Sequence, residues 1–293
     1  MGRMDVYADV TSRIVRMMEE GAADPSAWRA PWRAIGQGHR SAVGRSYRGV
    51  NTLLLADQAQ RHAYELPVWA TYKQWEGLGA QVRRGEKATR VILWKQATPR
   101  QSEDASEGEA PRRGLFATTF CVFNADQVDG SDTAPALENL GTVRNPDGRD
   151  DAAESWIAAT GAEISHGGDR AYYTPAADRI WVPHFEDFDY AAGYYATAAH
   201  ELTHWTAHPS RLARDLSGRF GTRAYAAEEL IAELGAVFAM ARLGLEGEPR
   251  ADHAHYLASW AELLRDNHRA IFTAATRAQS ACDYLFGEVQ AED

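Results

Sequence analysis

The feature of this sequence that most constrains its fold is a pair of histidines, His200 and His204, with Glu201 directly after the first. Residues four apart lie on one face of an α-helix, so the spacing brings both imidazoles to one metal ion if the segment is helical. The glutamate can then reach a water molecule at that ion. Zinc lowers the pKa of such a water to about 7, which lets a carboxylate take its proton. The motif predicts a helix over 188–207 that carries a catalytic zinc site, with Glu201 as the base.

The apolar pattern around the motif supports a helix with one buried stripe. That stripe, at 100° per residue, contains Ala191, Tyr195, Ala198, Leu202 and Trp205. His200 and His204 lie roughly 160° from Leu202 on the same helical wheel. We expect the two histidines to project away from the buried stripe, where a metal site and a solvated polar face are the alternatives.

A third metal ligand is expected on a downstream acidic helix, because catalytic zinc sites usually have three protein ligands and one open position. The segment after Tyr225 offers Glu228, Glu229 and Glu233. Glu229 and Glu233 are four apart, so one can bind zinc while the other accepts a hydrogen bond from a ligand histidine. We predict Glu229 as the ligand and Glu233 as the residue that orients a histidine; the reverse assignment stays open.

Two short β-prone runs precede the motif helix and suggest how a peptide could be aligned. Zinc peptidases often add substrate backbone to an exposed strand edge, for which Ala171-Tyr172-Tyr173 and Ile180-Trp181-Val182 are the alternatives. A tyrosine hydroxyl could stabilise the oxyanion, with Tyr172, Tyr173 and Tyr225 as candidates.

The N-terminal half has a different chemistry. The chain carries a net charge of −10, yet residues 28–95 contain twelve Lys and Arg against four Asp and Glu, a local charge of +8 that leaves −18 for the remainder. Single-stranded nucleic acid is held by cations along its backbone and by aromatic faces under its bases. This segment interleaves both residue types and predicts single-stranded-DNA binding through Arg45, Tyr47, Arg48, Trp69, Tyr72, Lys73, Arg83, Arg84, Lys87 and Lys95.

The organisation predicted from periodicity and composition is α+β with two domains. A small mixed α/β domain covers 1–128 and includes a flexible polar insertion at 96–114; a linker follows at 129–150, and a domain of a β-hairpin plus helices covers 151–293. The main predicted helices are 5–20, Thr52–Ala63 with Asn51 as its cap, 224–243 and 251–285. The predicted strands include Thr89–Lys95 and Leu115–Asn124.

Composition bounds the location of the protein. Cys121 and Cys282 are far apart in the sequence, which is typical of a reducing cytoplasm rather than a disulfide framework. No run approaches the ~18 apolar residues of a membrane span, and the first residues lack the apolar core of a secretory signal. We expect a cytoplasmic protein that does not interact with membranes, and the sequence does not predict its oligomeric state.

Longer motifs in both halves resemble the ArdC family of antirestriction proteins. In the C-terminal half they are Ala171-Tyr-Tyr-Thr-Pro-Ala-Ala-Asp-Arg-Ile-Trp-Val-Pro and His200-Glu-Leu-Thr-His-Trp-Thr-Ala-His. In the N-terminal half they are Tyr47-Arg-Gly-Val-Asn-Thr-Leu-Leu-Leu, Trp69-Ala-Thr-Tyr-Lys-Gln-Trp, Gly79-Ala-Gln-Val-Arg-Arg-Gly-Glu-Lys and Val122-Phe-Asn-Ala-Asp-Gln. The resemblance covers about 5–245.

The resemblance implies an N-terminal single-stranded-DNA-binding domain and a C-terminal zincin-like metallopeptidase domain. Members of this family are carried by conjugative plasmids and other mobile elements, where they protect incoming DNA from host restriction. It implies that His200 and His204 bind the metal and that Glu201 is catalytic, and it places the 228–233 carboxylates on the family's acidic helix without fixing the ligand.

Two functions therefore remain in competition at the level of the sequence. The first is a DNA-tethered zinc endopeptidase that cleaves a restriction enzyme or another DNA-bound protein. The second is a strand-coating protein whose metal site is structural or vestigial. A weaker third alternative is a basic patch that docks an acidic protein. Mn²⁺ or Co²⁺ could occupy the same ligands as Zn²⁺.

Overall fold

The computed structural model describes residues 5–23, 38–96, 115–130, 135–138, 140, 143–218, 221–246 and 254–288. The predicted insertion at 96–114 lies outside these residues from 97 onward, as does part of the predicted linker at 129–150. The described helices are α1 (Val6–Ala23), α2 (Val50–His62), α3 (Tyr72–Gly77), α4 (Pro135–Glu138), α5 (Asp151–Ala159), α6 (Ala191–Trp205), α7 (Arg223–Leu243), α8 (Ala254–Asp266) and α9 (Ala270–Leu285). The strands are β1 (Arg40–Ser41), β2 (Val68–Ala70), β3 (Gln81–Val82), β4 (Thr89–Gln96), β5 (Leu115–Asn124), β6 (Val128–Asp129), β7 (Glu163–His166), β8 (Tyr172–Thr174) and β9 (Arg179–Val182).

The predicted α+β class with two domains is confirmed. One sheet has the order β1-β2-β5-β4, in which β1 and β2 are parallel and the remaining pairs are antiparallel. A small antiparallel pair joins β3 and β6. The third sheet has the order β7-β9-β8, so that β9 is central and β8 lies at an edge. Its β8–β9 hairpin agrees with the turn predicted at 175–178.

The expected helix cap at Asn51 is wrong, and the residue has another role. Gly49, with φ 57°, precedes the first turn of α2 and allows a backbone conformation that favours glycine. The side-chain amide of Asn51 donates to Ile92 O at 2.8 Å and its oxygen accepts from Ile92 N at 2.7 Å. Because β4 is an edge strand, Asn51 satisfies backbone groups that the sheet leaves unpaired.

The single helix predicted over 251–285 is instead two helices, α8 and α9. At the break the side chain of Asn267 accepts a hydrogen bond from the backbone N–H of Arg269 at 3.0 Å, which competes with helical bonding. Thr11 of α1 donates to the carbonyl of His268 at 2.7 Å. The break therefore gives α1 a polar anchor in the C-terminal half.

One hydrophobic core crosses the predicted domain boundary. Helix α1 packs against α8, and α2 contacts α9. Buried residues from the N-terminal half, such as Ile14 and Leu53, belong to the same cluster as Leu234, Trp260 and Phe272. The two halves are thus joined by apolar packing, while the predicted boundaries at 128 and 151 stay a prediction. No helix among the described residues is long and apolar enough to cross a membrane.

Candidate metal centre

Helix α6 is buried on almost every side, which the single predicted stripe did not anticipate. It packs against α7, α9 and the β8 and β9 strands. His200 and Glu201 are each only 3% exposed, and His204 is half-buried. A solvated polar face is therefore excluded as the explanation of the histidine pair.

A very close approach between α6 and α7 brings their polar residues together. A Cβ atom added to Gly235 would lie 2.5 Å from Cγ2 and 2.6 Å from Oγ1 of Thr203, closer than side chains can pack. Thr203 directly precedes His204, and Gly235 lies two residues after Glu233. The glycine thus lets the acidic helix pack directly against the histidine helix.

His200, His204 and Glu229 form a compact triangle of potential ligand atoms, all within 4.8 Å of one another. The two Nε2 atoms are 3.2 Å apart. Oε2 of Glu229 lies 3.5 Å from the Nε2 of His200, and its Oε1 lies 3.5 Å from the Nε2 of His204. Tetrahedral ligands that bind zinc at 2.0–2.1 Å are separated by about 3.4 Å from each other. The donor set and its spacing fit a divalent metal ion.

The outer nitrogens of both imidazoles face further carboxylates of α7. Glu233 Oε2 lies 3.6 Å from His200 Nδ1, and Glu228 Oε1 lies 3.3 Å from His204 Nδ1. Such carboxylates fix the ring orientation of metal-binding histidines. The structure brings Glu229 to the inner nitrogens and Glu233 to an outer one, which is the predicted arrangement; ligation by Glu229 stays a prediction.

Glu228 is a functional candidate whose role the sequence analysis missed. Its carboxylate accepts hydrogen bonds from the guanidinium of Arg214, at 2.8 Å from Nη2. Arg214 also donates to Thr206 Oγ1 at 2.8 Å and to Thr203 O at 2.7 Å. The loop after α6 therefore supports Glu228, which in turn supports His204. In the sequence, the only indication of this role is that Glu228 is a further acidic residue directly before Glu229.

Electrostatics indicates a site built for a cation. Burial lowers the pKa of His204, but hydrogen bonds to Glu228 and Glu229 outweigh it and raise the pKa to about 10. Burial raises the pKa of Glu229, yet its contacts with His200 and His204 bring it well below its usual value. The same carboxylates that hold a proton on His204 would hold a divalent cation in its place.

The triangle opens into a cavity of about 430 Å³. Its lining residues are Arg170, Ala171, Tyr172, Tyr173, Pro175, His200, Glu201, His204, Asp215, Leu216, Gly218, Tyr225, Glu228, Glu229 and Tyr256. Strand β8 borders the cavity at the sheet edge, whereas Ile180–Val182 pairs with strands on both sides and cannot add another. Of the two predicted substrate-aligning strands, only β8 is placed to serve.

The three tyrosine candidates differ in what their hydroxyls contact. The hydroxyl of Tyr173 donates to Asp178 Oδ1 at 2.8 Å, a residue that also pairs with Arg211. Tyr172 is 49% exposed and stacks on Trp181. The hydroxyl of Tyr225 lies 3.3 Å from that of Tyr256, and its pKa is raised by burial, by that contact and by the charge of Glu229. Of the three tyrosines, Tyr225 is therefore the one whose hydroxyl interacts with a residue of the metal centre, Glu229.

One of the residues predicted to bind DNA is misassigned. Trp69 is fully buried and donates from its indole to His39 Nδ1 at 3.1 Å, so it cannot stack on a base and its prediction is wrong. The interleaving of aromatic and cationic residues does not identify base contacts by itself, because aromatic residues at strand positions face the core as readily as the solvent.

The remaining predicted contacts lie on several segments of the N-terminal half and stay a prediction. Arg45 and Arg48 are exposed and Tyr47 is half-buried in the segment before α2. Tyr72 and Lys73 of α3 lie beside β3, since Gln81 donates to the hydroxyl of Tyr72 at 2.9 Å. Exposed positions near and beyond β3 are Arg83, Arg84, Lys87 and Lys95. Arg83 is paired with Glu86 at 3.0 Å and lies 3.8 Å from Asp129.

Comparison with known proteins gives two family matches in tandem. The N-terminal domain of anti-restriction factor ArdC matches residues 4–123, and a zincin-like metallopeptidase domain matches residues 151–277. Such a domain implies a divalent metal ion, for which His200, His204 and Glu229 could form the site.

Relatives extend the match over nearly the whole chain. The uncharacterized protein y4eC of Sinorhizobium fredii is 43% identical over 97% of this chain and 92% of its own length. DNA primase TraC of Escherichia coli is 38% identical over 95% of this chain, which spans only 27% of that primase.

Two crystal structures of the antirestriction protein ArdC from plasmid R388 are similar to this fold at 39% identity. The metal-free structure has a TM-score of 0.80 and the Mn(II)-bound structure one of 0.77, each covering 97% of this chain and 98% of the other.

The ligand assignment can be tested by comparing carboxamide variants. We expect Glu229→Gln to weaken Zn²⁺ affinity by more than about 100-fold, because it removes a ligand, and Glu233→Gln or Glu228→Gln by roughly 10- to 100-fold, because each only orients a histidine. Competition with a fluorescent chelator measures this. A larger loss in Glu233→Gln than in Glu229→Gln would reverse the assignment.

The helix contact gives a second prediction. Gly235→Ala should force α6 and α7 apart, lowering the free energy of unfolding by roughly 1–3 kcal/mol and weakening Zn²⁺ binding. Thr203→Ala removes the two clashing atoms, so the double variant should recover most of both losses. Chemical denaturation and metal titration test this, and an unaltered Gly235→Ala protein would contradict it.

Proposed function

This chain belongs to the ArdC family of antirestriction proteins, and from that premise we propose that it is a zinc-dependent endopeptidase that binds single-stranded DNA and protects incoming DNA from host restriction. The observation that carries the proposal is the triangle of His200, His204 and Glu229 beside Glu201 in an open cavity. Protection of entering DNA would take place in the cytoplasm, with a restriction enzyme or another DNA-bound protein as the substrate.

The metal ion would be held by His200, His204 and Glu229, with Zn²⁺ as the expected ion and Mn²⁺ or Co²⁺ able to use the same donors. When bound, it supplies Lewis acidity that activates a water molecule and polarises the scissile carbonyl. Glu233 and Glu228 hold the two imidazole rings in orientation. Other residues that line the cavity would align the peptide and the water molecule.

Glu201 would move the proton in this mechanism. Its buried carboxylate lines the cavity beside both histidines. As general base it takes a proton from the attacking water, and as general acid it returns that proton to the departing amine, so that one water and one amide give one carboxylic acid and one amine. Tyr225 can donate a hydrogen bond to the oxygen on which negative charge develops.

Strand β8 would align the substrate backbone. It is the edge of its sheet and borders the cavity through Tyr172 and Tyr173. Its hairpin is tied to the end of α6, because Asp178 pairs with Arg211 and the Arg211 guanidinium lies 3.8 Å from the ring centre of Trp205. An added peptide strand would therefore be fixed relative to the helix that carries Glu201.

The second candidate function is strand coating without proteolysis. The match to DNA primase TraC favours it, because that similarity ties the same module to a protein that acts on nucleic acid. Exposed cations such as Arg45, Lys73 and Arg84 would then supply the protection by contacting phosphates.

Glu201→Gln separates the two functions. We expect it to retain Zn²⁺ and oligonucleotide binding but to lose peptidase activity by about 10²–10⁴-fold, because the amide cannot take a proton. Cleavage is measured by mass spectrometry on a peptide library from a bacterial proteome, with and without single-stranded DNA, and protection is measured by conjugation into a restricting host. Equal cleavage by both proteins excludes Glu201 as the base; full protection by the variant favours strand coating.

Tyr225→Phe tests the oxyanion donor. On a peptide that the wild type cleaves, we expect kcat to fall by about 10²–10³-fold with little change in KM, because the lost hydrogen bond forms only in the transition state. Tyr172→Phe, also on the cavity wall, is the matched control and should stay near wild type. Equal effects of the two variants would remove Tyr225 from the mechanism.

A further inference from the structure

A second cavity, of about 380 Å³, lies where the segment before α2 meets the ends of α7 and α9. It is separate from the metal centre and shares none of that cavity's lining residues among those described. The lining residues are Gly38, His39, Arg40, Ser46, Tyr47, Arg48, Thr52, Phe238, Ala241, Arg242, Gln279, Cys282 and Glu288. Both halves of the chain contribute to it.

The cavity is cationic in a protein that is anionic as a whole. Among the lining residues that the structure describes there are three arginines, Arg40, Arg48 and Arg242, and one carboxylate, that of Glu288. The whole chain carries a net charge of −10. A local excess of guanidinium groups at a concave surface is the electrostatic pattern of an anion site.

Arg48 is held in place from the C-terminal half. Among the described residues it pairs with Asp283 of α9 through Nη2, and its side chain is 52% exposed. Gln279 supports the pair, since its amide donates to Asp283 Oδ1 at 3.1 Å and its oxygen accepts from the backbone N–H of Gly49 at 3.1 Å. The guanidinium is therefore oriented before a ligand arrives and keeps donors on its other nitrogens.

Arg242 approaches the cavity from the last turn of α7. Its guanidinium lies 4.2 Å from the ring centre of Phe286 and pairs with Glu288 through Nη2. Glu288 is 46% exposed, so this ion pair is weak and an incoming anion can replace the carboxylate. The stacked ring preserves the position of the arginine during that exchange.

We propose that this cavity binds a phosphate group of single-stranded DNA, with Arg48 and Arg242 as its principal donors. Guanidinium forks match phosphate oxygens in geometry and charge. The half-buried ring of Tyr47 and the hydroxyl of Ser46 lie beside them, which suits a nucleotide better than an acidic peptide. The inference rests on the proposed single-stranded-DNA binding and adds that the C-terminal half takes part in it.

The test compares Arg242→Gln with Arg277→Gln in the full chain. Arg277 is an exposed arginine of α9 that does not line the cavity, so it controls for loss of charge. Binding is measured by fluorescence anisotropy with a dT oligonucleotide, with and without a 5′-phosphate. Arg242→Gln should bind on the order of tenfold more weakly than wild type, because it loses one charge-assisted contact, and Arg277→Gln should not. The slope of log affinity against log salt should fall by about 0.7. Arg242→Lys should recover part of the affinity, and unchanged melting temperatures confirm folding.

The outcomes separate this inference from the proposed function. A loss confined to the 5′-phosphorylated oligonucleotide assigns the cavity to a strand end, and an equal loss on both assigns it to the backbone. Equal affinities of Arg242→Gln and Arg277→Gln overturn the inference while leaving DNA binding intact. If wild type binds no oligonucleotide, the DNA-binding function fails; titration with dTMP and inorganic phosphate then decides whether the cavity binds free phosphate. The inference is also overturned if the protein binds a poly-glutamate peptide but no oligonucleotide.

Discussion

The metal centre depends on the close packing of α6 against α7. The helices meet where Gly235 faces Thr203, with no room for a Cβ atom between them. Every polar contact of the centre lies within about two turns of this point, His200 and His204 on one helix and the 228–233 carboxylates on the other. Side chains as short as glutamate reach both nitrogens of each imidazole only because the backbones are this close.

That packing concentrates negative charge in a buried place, and the charge must be offset. Glu201, Glu228 and Glu233 are each less than a tenth exposed, and Glu229 is nearly as buried. Arg214 offsets part of this charge by pairing with Glu228. A protonated His204 offsets part of the remainder, as its raised pKa of about 10 indicates. A divalent ion at the triangle would do so more completely, because it contacts both histidines and Glu229 at once.

The sequence singles out the residues that the structure brings together here, because helical spacing is a local property. His200, Glu201 and His204 follow from a four-residue repeat, and the pairing of Glu229 with Glu233 follows from the same repeat. The sequence does not reveal the role of Glu228, because that role depends on Arg214. The loop after α6 brings Arg214 back to Glu228. Trp69 was misassigned because strand periodicity does not identify the buried face, which here is set by packing with His39 and by the α2 core.

Residue spacing in the sequence does not reveal the contacts that join the N-terminal and C-terminal halves of the chain. The break between α8 and α9 leaves the carbonyl of His268 to accept a hydrogen bond from Thr11, about 250 residues earlier in the chain. The continuous core of α1, α2, α7, α8 and α9 makes the matched domains one packed unit rather than two domains on a free linker. Helix α7 illustrates the consequence: it carries Glu229 near its start and Arg242 in its last turn, so one rigid element borders both the metal centre and the cationic cavity.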